Sequence, residues 1–121
     1  MLLVTSNKAR QLLYISYIGS VRLEDFQSSR EDLTAQLKEL SPGFRMLVDI
    51  SPMASMGLDC APALGRMMDV VGRAGVGWVV RVIPEPSRDI GMNIMTVFHY
   101  PHRPRVVTCH NLTDAARLLE L

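Results

Sequence analysis

Apolar residues recur along this chain in two rhythms, one of strands and one of helices. Leu2 to Thr5 is a short β-prone run, Ser6-Asn7-Lys8 is a turn signal, and Leu12 to Ile18 is a second run closed by Gly19-Ser20. The short polar connection predicts an antiparallel hairpin. Leu23, Phe26, Arg30, Leu33, Leu37 and Leu40 then follow three-four spacing, with Glu24, Asp25, Glu31, Asp32 and Lys38 on the other side. That is an amphipathic helix, stopped by Ser41-Pro42-Gly43, in which the Arg30 stem lies along the apolar seam. Phe44 to Ile50 is a nearly continuous apolar run of strand length, the pattern of a central strand covered by helices. Ser51 to Gly57 reads as a loop.

Leu64, Met67, Met68, Val71 and Ala74 restore the helical spacing, with Pro62 acceptable in the first turn and Gly75 and Gly77 at the end. Trp78 to Ile83 is another buried-type strand. Ile90, Ile94, Val97 and Phe98 predict a helix that Ser87 caps and Pro101 ends. Arg105 to Cys109 is a last strand, and a closing helix follows Asn111. The order β-β-α-β-α-β-α-β-α predicts an α/β fold. It is a single mixed sheet of about five strands, the first two a hairpin and the rest mostly parallel, covered by about four helices.

Whole-chain properties narrow the function. The 121 residues are expected to form one domain, and 48% of them are hydrophobic, enough for a core. The first sixty residues carry a net charge of −1 and the remainder +2, so binding driven by nucleic-acid phosphates is not expected. Cys60 and Cys109 form no C-x-x-C pair and the core needs no disulfide, which points to a reducing, cytoplasmic setting. Met1 to Arg10 lacks the apolar run of a signal peptide, and no stretch approaches the roughly 20 apolar residues of a membrane span.

The element order resembles the STAS fold of bacterial anti-sigma-factor antagonists of the SpoIIAA type. Val48-Asp49-Ile50-Ser51 looks like the D-[IL]-S segment ending that family's central strand. Gly19 with Glu24-Asp25-Phe26, and the closing Leu112-Thr113-Asp114-Ala115-Ala116-Arg117-Leu118, are similar to further family segments. The resemblance implies a non-enzymatic regulatory or interaction module. Its protein partner would be anti-sigma-factor-like or a regulatory kinase. In the antagonists a serine of a D-S-[ST]-G loop is phosphorylated; the corresponding positions here read Gly57-Leu58-Asp59-Cys60, without the acceptor hydroxyl. Asp59 either caps a helix or stands as a fixed, partial substitute for a phosphate. Ser51 and Ser55 are hydroxyls in the same loop. The expected partner surface is therefore Ser51, Met53, Ser55, Met56, Asp59 and Cys60.

Other constellations are weaker. His99, His102, Cys109 and His110 are close in sequence, but Pro101 interrupts the first pair and adjacent strand residues face opposite ways, so no metal is expected. No nucleotide-binding glycine motif is present, no cofactor is expected, and no acid, base and nucleophile converge. Cys60 near a helix start would have a lowered thiol pKa, but nothing in the sequence supplies a partner base for Cys60 or Cys109, and a buried structural cysteine is the better reading. The segment Pro84 to Asp89 ends a strand, and Arg81, Arg88 and His99 could reach a small anion there. Core filling is the ordinary reading of Met67, Met68, Met92 and Met95; the alternative is that they line a groove, which would make the chain a binder or sensor of a small apolar or lipid-like ligand held between the helices that carry them. Self-association through exposed helix faces, as a homodimer, is a further expectation.

Overall fold

The computed structural model describes residues 1–84, 100 and 104–121. Strands β1 (Leu2–Asn7) and β2 (Leu12–Tyr17) form the antiparallel hairpin. β3 (Gly19–Val21) leads into helix α1 (Leu23–Leu37). β4 (Arg45–Asp49), β5 (Met53–Met56) and a 3-10 turn (Leu58–Cys60) precede helix α2 (Ala61–Arg73). β6 (Trp78–Val82), β7 (Arg105–Cys109) and helix α3 (Leu112–Leu118) complete the described elements. The main sheet has the order β1-β2-β4-β6-β7, antiparallel at β1-β2 and parallel elsewhere. Three helices are found among the described residues, and the one predicted from Ser87 onward lies outside them.

Strand alternation divides the core into two layers. Leu13, Ile15, Met46, Val48 and Val79 face α1 and α2; Leu12, Leu47, Val80 and Val82 face α3 through Ala115 and Leu119. β4 lies in the middle of the sheet and is buried on both faces, which is why its sequence is apolar almost without a break. On the α2 side, the Leu64, Met67, Met68 and Val71 stripe packs on the sheet. The turns entering β4 and β6 lock together: the Gly43 N–H donates to the Gly75 carbonyl at 2.7 Å and the Gly77 N–H to that of Phe44 at 2.9 Å. Gly75 has φ +95°, and a Cβ there would stand 3.0 Å from the Pro42 backbone, so glycine is required twice over.

The loop expected over Ser51 to Gly57 contains a strand. β5 pairs in parallel with β3 as a separate two-stranded sheet, joining Gly19 to Met53 and Val21 to Met56. Gly19-Ser20 therefore does not end structure but begins a second pairing. Both strands are short and rich in Gly, Ala and Ser, so neither alternation nor β-branching marks them in the sequence.

Candidate functional site

The segment leaving the C-terminal end of β4 is built from the strand outward. Asp49 is buried, and its Oδ1 accepts the Ser51 N–H at 2.9 Å and the Ser51 hydroxyl at 2.5 Å. This aspartate-to-serine bridge folds the chain out of the sheet, which gives the Asp49-Ile50-Ser51 segment a structural role. The Met53 N–H then donates to the Ile50 carbonyl at 3.0 Å, and the Gly19 N–H to the Pro52 carbonyl at 2.9 Å. β5 is thereby held against β3, with the Ser55 hydroxyl 3.3 Å from that of Ser20. The Cys60 N–H donates to the Gly57 carbonyl at 3.0 Å, closing the turn that enters α2.

Of the six residues expected to form a partner surface, five reach the surface. Ser51, Ser55 and Asp59 are exposed, and Met53 and Met56 are half-buried. Ser51 is engaged by Asp49, so Ser55 and Asp59 carry the accessible polar groups. Cys60 must be corrected. It is fully buried, with its thiol 3.8 Å from the Val21 carbonyl, because the 3-10 turn rotates it under the β3–β5 pair. Burial, and then the neighbouring Asp59 charge, pushes its thiol pKa up rather than down.

The capping role considered for Asp59 is not realised. Neither the 3-10 turn, whose N-cap is Gly57, nor α2, whose N-cap is Cys60, has a side-chain cap. The Asp59 carboxylate instead turns back over Gly57, where an added Cβ would meet its Oδ1 at 2.5 Å. Beside it, Leu58 is 96% exposed, the most exposed of the large apolar side chains among the described residues. Sequence reasoning did not single out Leu58. Its signal was its phase: it stands six residues before Leu64, off the stripe that α2 buries.

Of the two readings of the methionines, the groove must be corrected and core filling holds for Met67 and Met68. Met67 and Met68 are buried core residues, because the three-four stripe they belong to is the sheet-facing side of α2. The space left between α2 and the sheet, lined by Met67, Met68, Arg81 and Tyr100 among others, is about 20 Å³. That suffices for a water molecule and not for an acyl chain. Met92 and Met95 lie outside the described residues. Arg81, expected to reach the sheet edge, is buried on the face covered by α2, where its Nη2 donates to the Thr108 hydroxyl at 3.2 Å. The Tyr17 hydroxyl donates to the Met67 sulfur at 3.6 Å, and burial raises the pKa of both Tyr17 and Tyr100. Arg88, His99 and His102 are outside the described residues, Cys109 is half-buried and His110 is exposed. No three His, Cys, Asp or Glu side chains gather in metal-holding geometry among the described residues.

With β4 central and its exit loop exposed at the start of α2, the whole arrangement superimposes on known structures. An uncharacterised DUF3478-family protein from Shewanella loihica matches with a TM-score of 0.74 at 14% identity, over 98% of this chain and 92% of the other. This is a SpoIIAA-like fold. The anti-sigma factor antagonist SpoIIAA in its unphosphorylated form matches with a TM-score of 0.63 at 12% identity over the full length of both chains. The Bacillus cell fate determinant SpoIIAA in its phosphorylated form gives 0.59 at 11%, over 98% of this chain and 99% of that one. No family model matches the sequence, and neither does any curated protein. The SpoIIAA-like sheet, with its hairpin edge and parallel remainder, is what these structures share. No described helix is long and apolar enough to cross a membrane.

Proposed function

We propose that this chain acts as a single STAS-like, non-enzymatic module that binds a regulatory protein through the exit of β4 and the start of α2. The observation that carries this reading is Leu58, a large apolar side chain almost wholly in water beside an uncapped helix start. Exposed apolar groups of that size, ringed by polar ones, serve as anchors that a partner desolvates. Met53, Met56, Ser55 and Asp59 supply the adaptable and polar surround. Asp59 presents one fixed negative charge in place of a switched phosphate, so the module would be held in one regulatory state rather than toggled. By analogy with the SpoIIAA structures, the partner is an anti-sigma-factor kinase or a protein of that class. Two free cysteines accord with a reducing cytoplasmic setting.

The test is binding of a purified anti-sigma-factor kinase from the same cell, measured by calorimetry. Leu58→Asp is expected to weaken binding by at least tenfold, on the order of a typical hot-spot loss, with an unchanged melting temperature. Asp59→Ala is expected to weaken it less. A wild-type chain that fails to bind, or a Leu58→Asp variant that binds as well as wild type, overturns the proposal. The alternative of an apolar ligand between methionine-bearing helices has no comparable support, since Met67 and Met68 are packed into the core.

A further inference from the structure

A second apolar surface lies between the outer sides of α1 and α2, distinct from the loop. Phe26, Leu33 and Met67 form the floor of a groove of about 70 Å³, and Val70, 42% exposed, forms its rim. Arg30 and Arg66 stand on opposite walls, both exposed, and none of the described residues lining the groove is acidic. Neither guanidinium takes part in an ion pair with the described residues. The Arg30 position, which interrupts the apolar stripe of α1, is thus not merely a stem covering the core; its head marks one edge of the groove.

From this charge arrangement we infer that the groove receives an acidic amphipathic helix of a partner protein. The lining spans Phe26 to Thr34 on α1 and Ala63 to Val70 on α2. Each is about two turns, or roughly 11 Å, which matches two turns of an incoming helix laid along them. Such a helix places apolar side chains at i, i+3, i+4 and i+7 on the Phe26–Leu33–Met67 floor. Carboxylates flanking that stripe on either side meet Arg30 and Arg66, whose planar forks bind carboxylate oxygens in pairs. A basic helix would meet like charge on both walls. An anionic membrane fits poorly, because a flat surface resting on α1 meets the exposed Glu24 and Glu31, seven residues apart on its outer side. The inference goes beyond the loop reading and stands without it.

The probe is a synthetic helical peptide of fourteen residues, with leucines at i, i+3, i+4 and i+7 flanked by glutamates. Its counterpart carries lysine for every glutamate. The acidic peptide is expected to shift the backbone amide resonances around Phe26, Leu33, Met67 and Val70, and to bind at least tenfold more tightly than the basic one at low salt. Affinity should fall as salt rises. The double charge reversal Arg30→Glu with Arg66→Glu touches two exposed side chains, so the fold is kept, and it should invert the preference toward the basic peptide. Leu58→Asp should leave peptide binding unchanged, which separates this result from the loop proposal. Resonance shifts confined elsewhere, or equal affinity for the two peptides, overturn the inference. So does groove occupancy by a second copy of the chain in light scattering, or binding to vesicles of anionic lipid without binding to the peptide.

Discussion

The starts of α1 and α2 solve the same problem in opposite ways. Each must provide for the N–H groups of its first turn, which have no partner within the helix itself. At α1 the Asp25 carboxylate reaches back to the Arg22 N–H at 2.8 Å, and two acidic residues occupy the first turn. α3 is similar, with the Asn111 side chain accepting the Asp114 N–H at 2.8 Å. α2 begins without a side-chain cap, behind a 3-10 turn that carries an exposed leucine and an exposed carboxylate. At α2 the backbone supplies what a side chain supplies elsewhere: the Cys60 N–H donates to the Gly57 carbonyl, the Ala61 N–H to that of Leu58, and Pro62 has no N–H to satisfy. Two of the described helices are thus entered through a polar side chain and the third through a backbone turn, which leaves the side chains of Leu58 and Asp59 free of a capping task.

The strongest way to break this contrast is to compare Phe26 and Leu58. Phe26 is 5% exposed, packed in the core with its ring tilted against Tyr17 at a centroid distance of 6.2 Å. Phe26→Ala is expected to destabilise the fold by about 3–5 kcal/mol in chemical denaturation. Leu58→Ala should stay within about 0.5 kcal/mol of wild type. If Leu58→Ala proved as costly as a core truncation, the leucine would be part of the scaffold and not of a surface.

Thiol chemistry sharpens the same contrast at the turn before α2. Burial and the Asp59 charge raise the Cys60 pKa, and burial with Asp114 raises that of Cys109. Thiolate is the reactive form, so native Cys60 in a Cys109→Ser background should react with a disulfide reagent at pH 8 more than about tenfold slower than the unfolded chain. Rapid labelling without denaturant would mean that the 3-10 turn opens readily and that the exposed loop is not a formed surface.

The scaffold was largely visible in the sequence and the contrast between the helix starts was not, for reasons that differ by element. The spacing of Leu64, Met67, Met68 and Val71 located α2, and the unbroken Phe44 to Ile50 run located the central strand, because burial on one or both faces imposes a periodicity. Asp49-Ile50-Ser51 was noticed only for its resemblance to a family segment, and the bridge from Asp49 Oδ1 to Ser51 emerged from the structure. The β3–β5 pair was not, since short strands of small residues owe their pairing to the backbone alone. Burial of Cys60 and Met67 is what residue type favours, and their place on a partner surface or in a groove failed because rotation within the turn and the sheet-facing side of α2 carry them inward. Sequence spacing names the face but does not say what covers it.

A smaller effect is expected at the capped start. The Arg22 backbone N–H, and after it the terminal ammonium of Met1, hold the Asp25 carboxyl below the usual range. A lowered folded-state pKa stabilises the protein above the unfolded value near pH 4 and loses that contribution as pH falls through the folded value. Asp25→Ala should therefore cost about 0.3–1 kcal/mol at neutral pH, the range for a partly exposed charge at a helix start. Wild type and variant should converge in stability as the solution is acidified. A difference that persists at the lowest pH would show that packing, not charge, distinguishes α1 from α2.

Gly57 supplies the finest test, because it separates the position of Asp59 from the stability of the turn. Its φ of −65° is open to any residue, so alanine brings no backbone strain there. The added methyl meets the Asp59 Oδ1 at 2.5 Å, the far end of a rotatable side chain on the surface, and the carboxylate can swing outward. Gly57→Ala should then change stability by no more than about 0.5 kcal/mol while moving the Asp59 resonances. If partner binding falls with stability intact, the direction of that carboxylate matters and its place over Gly57 is part of the surface. If binding holds, Leu58 alone carries the contact and the charge at position 59 is incidental. A stability loss well above this range would show that the turn tolerates no side chain at its entry, and the start of α2 would then owe its form to packing against β3.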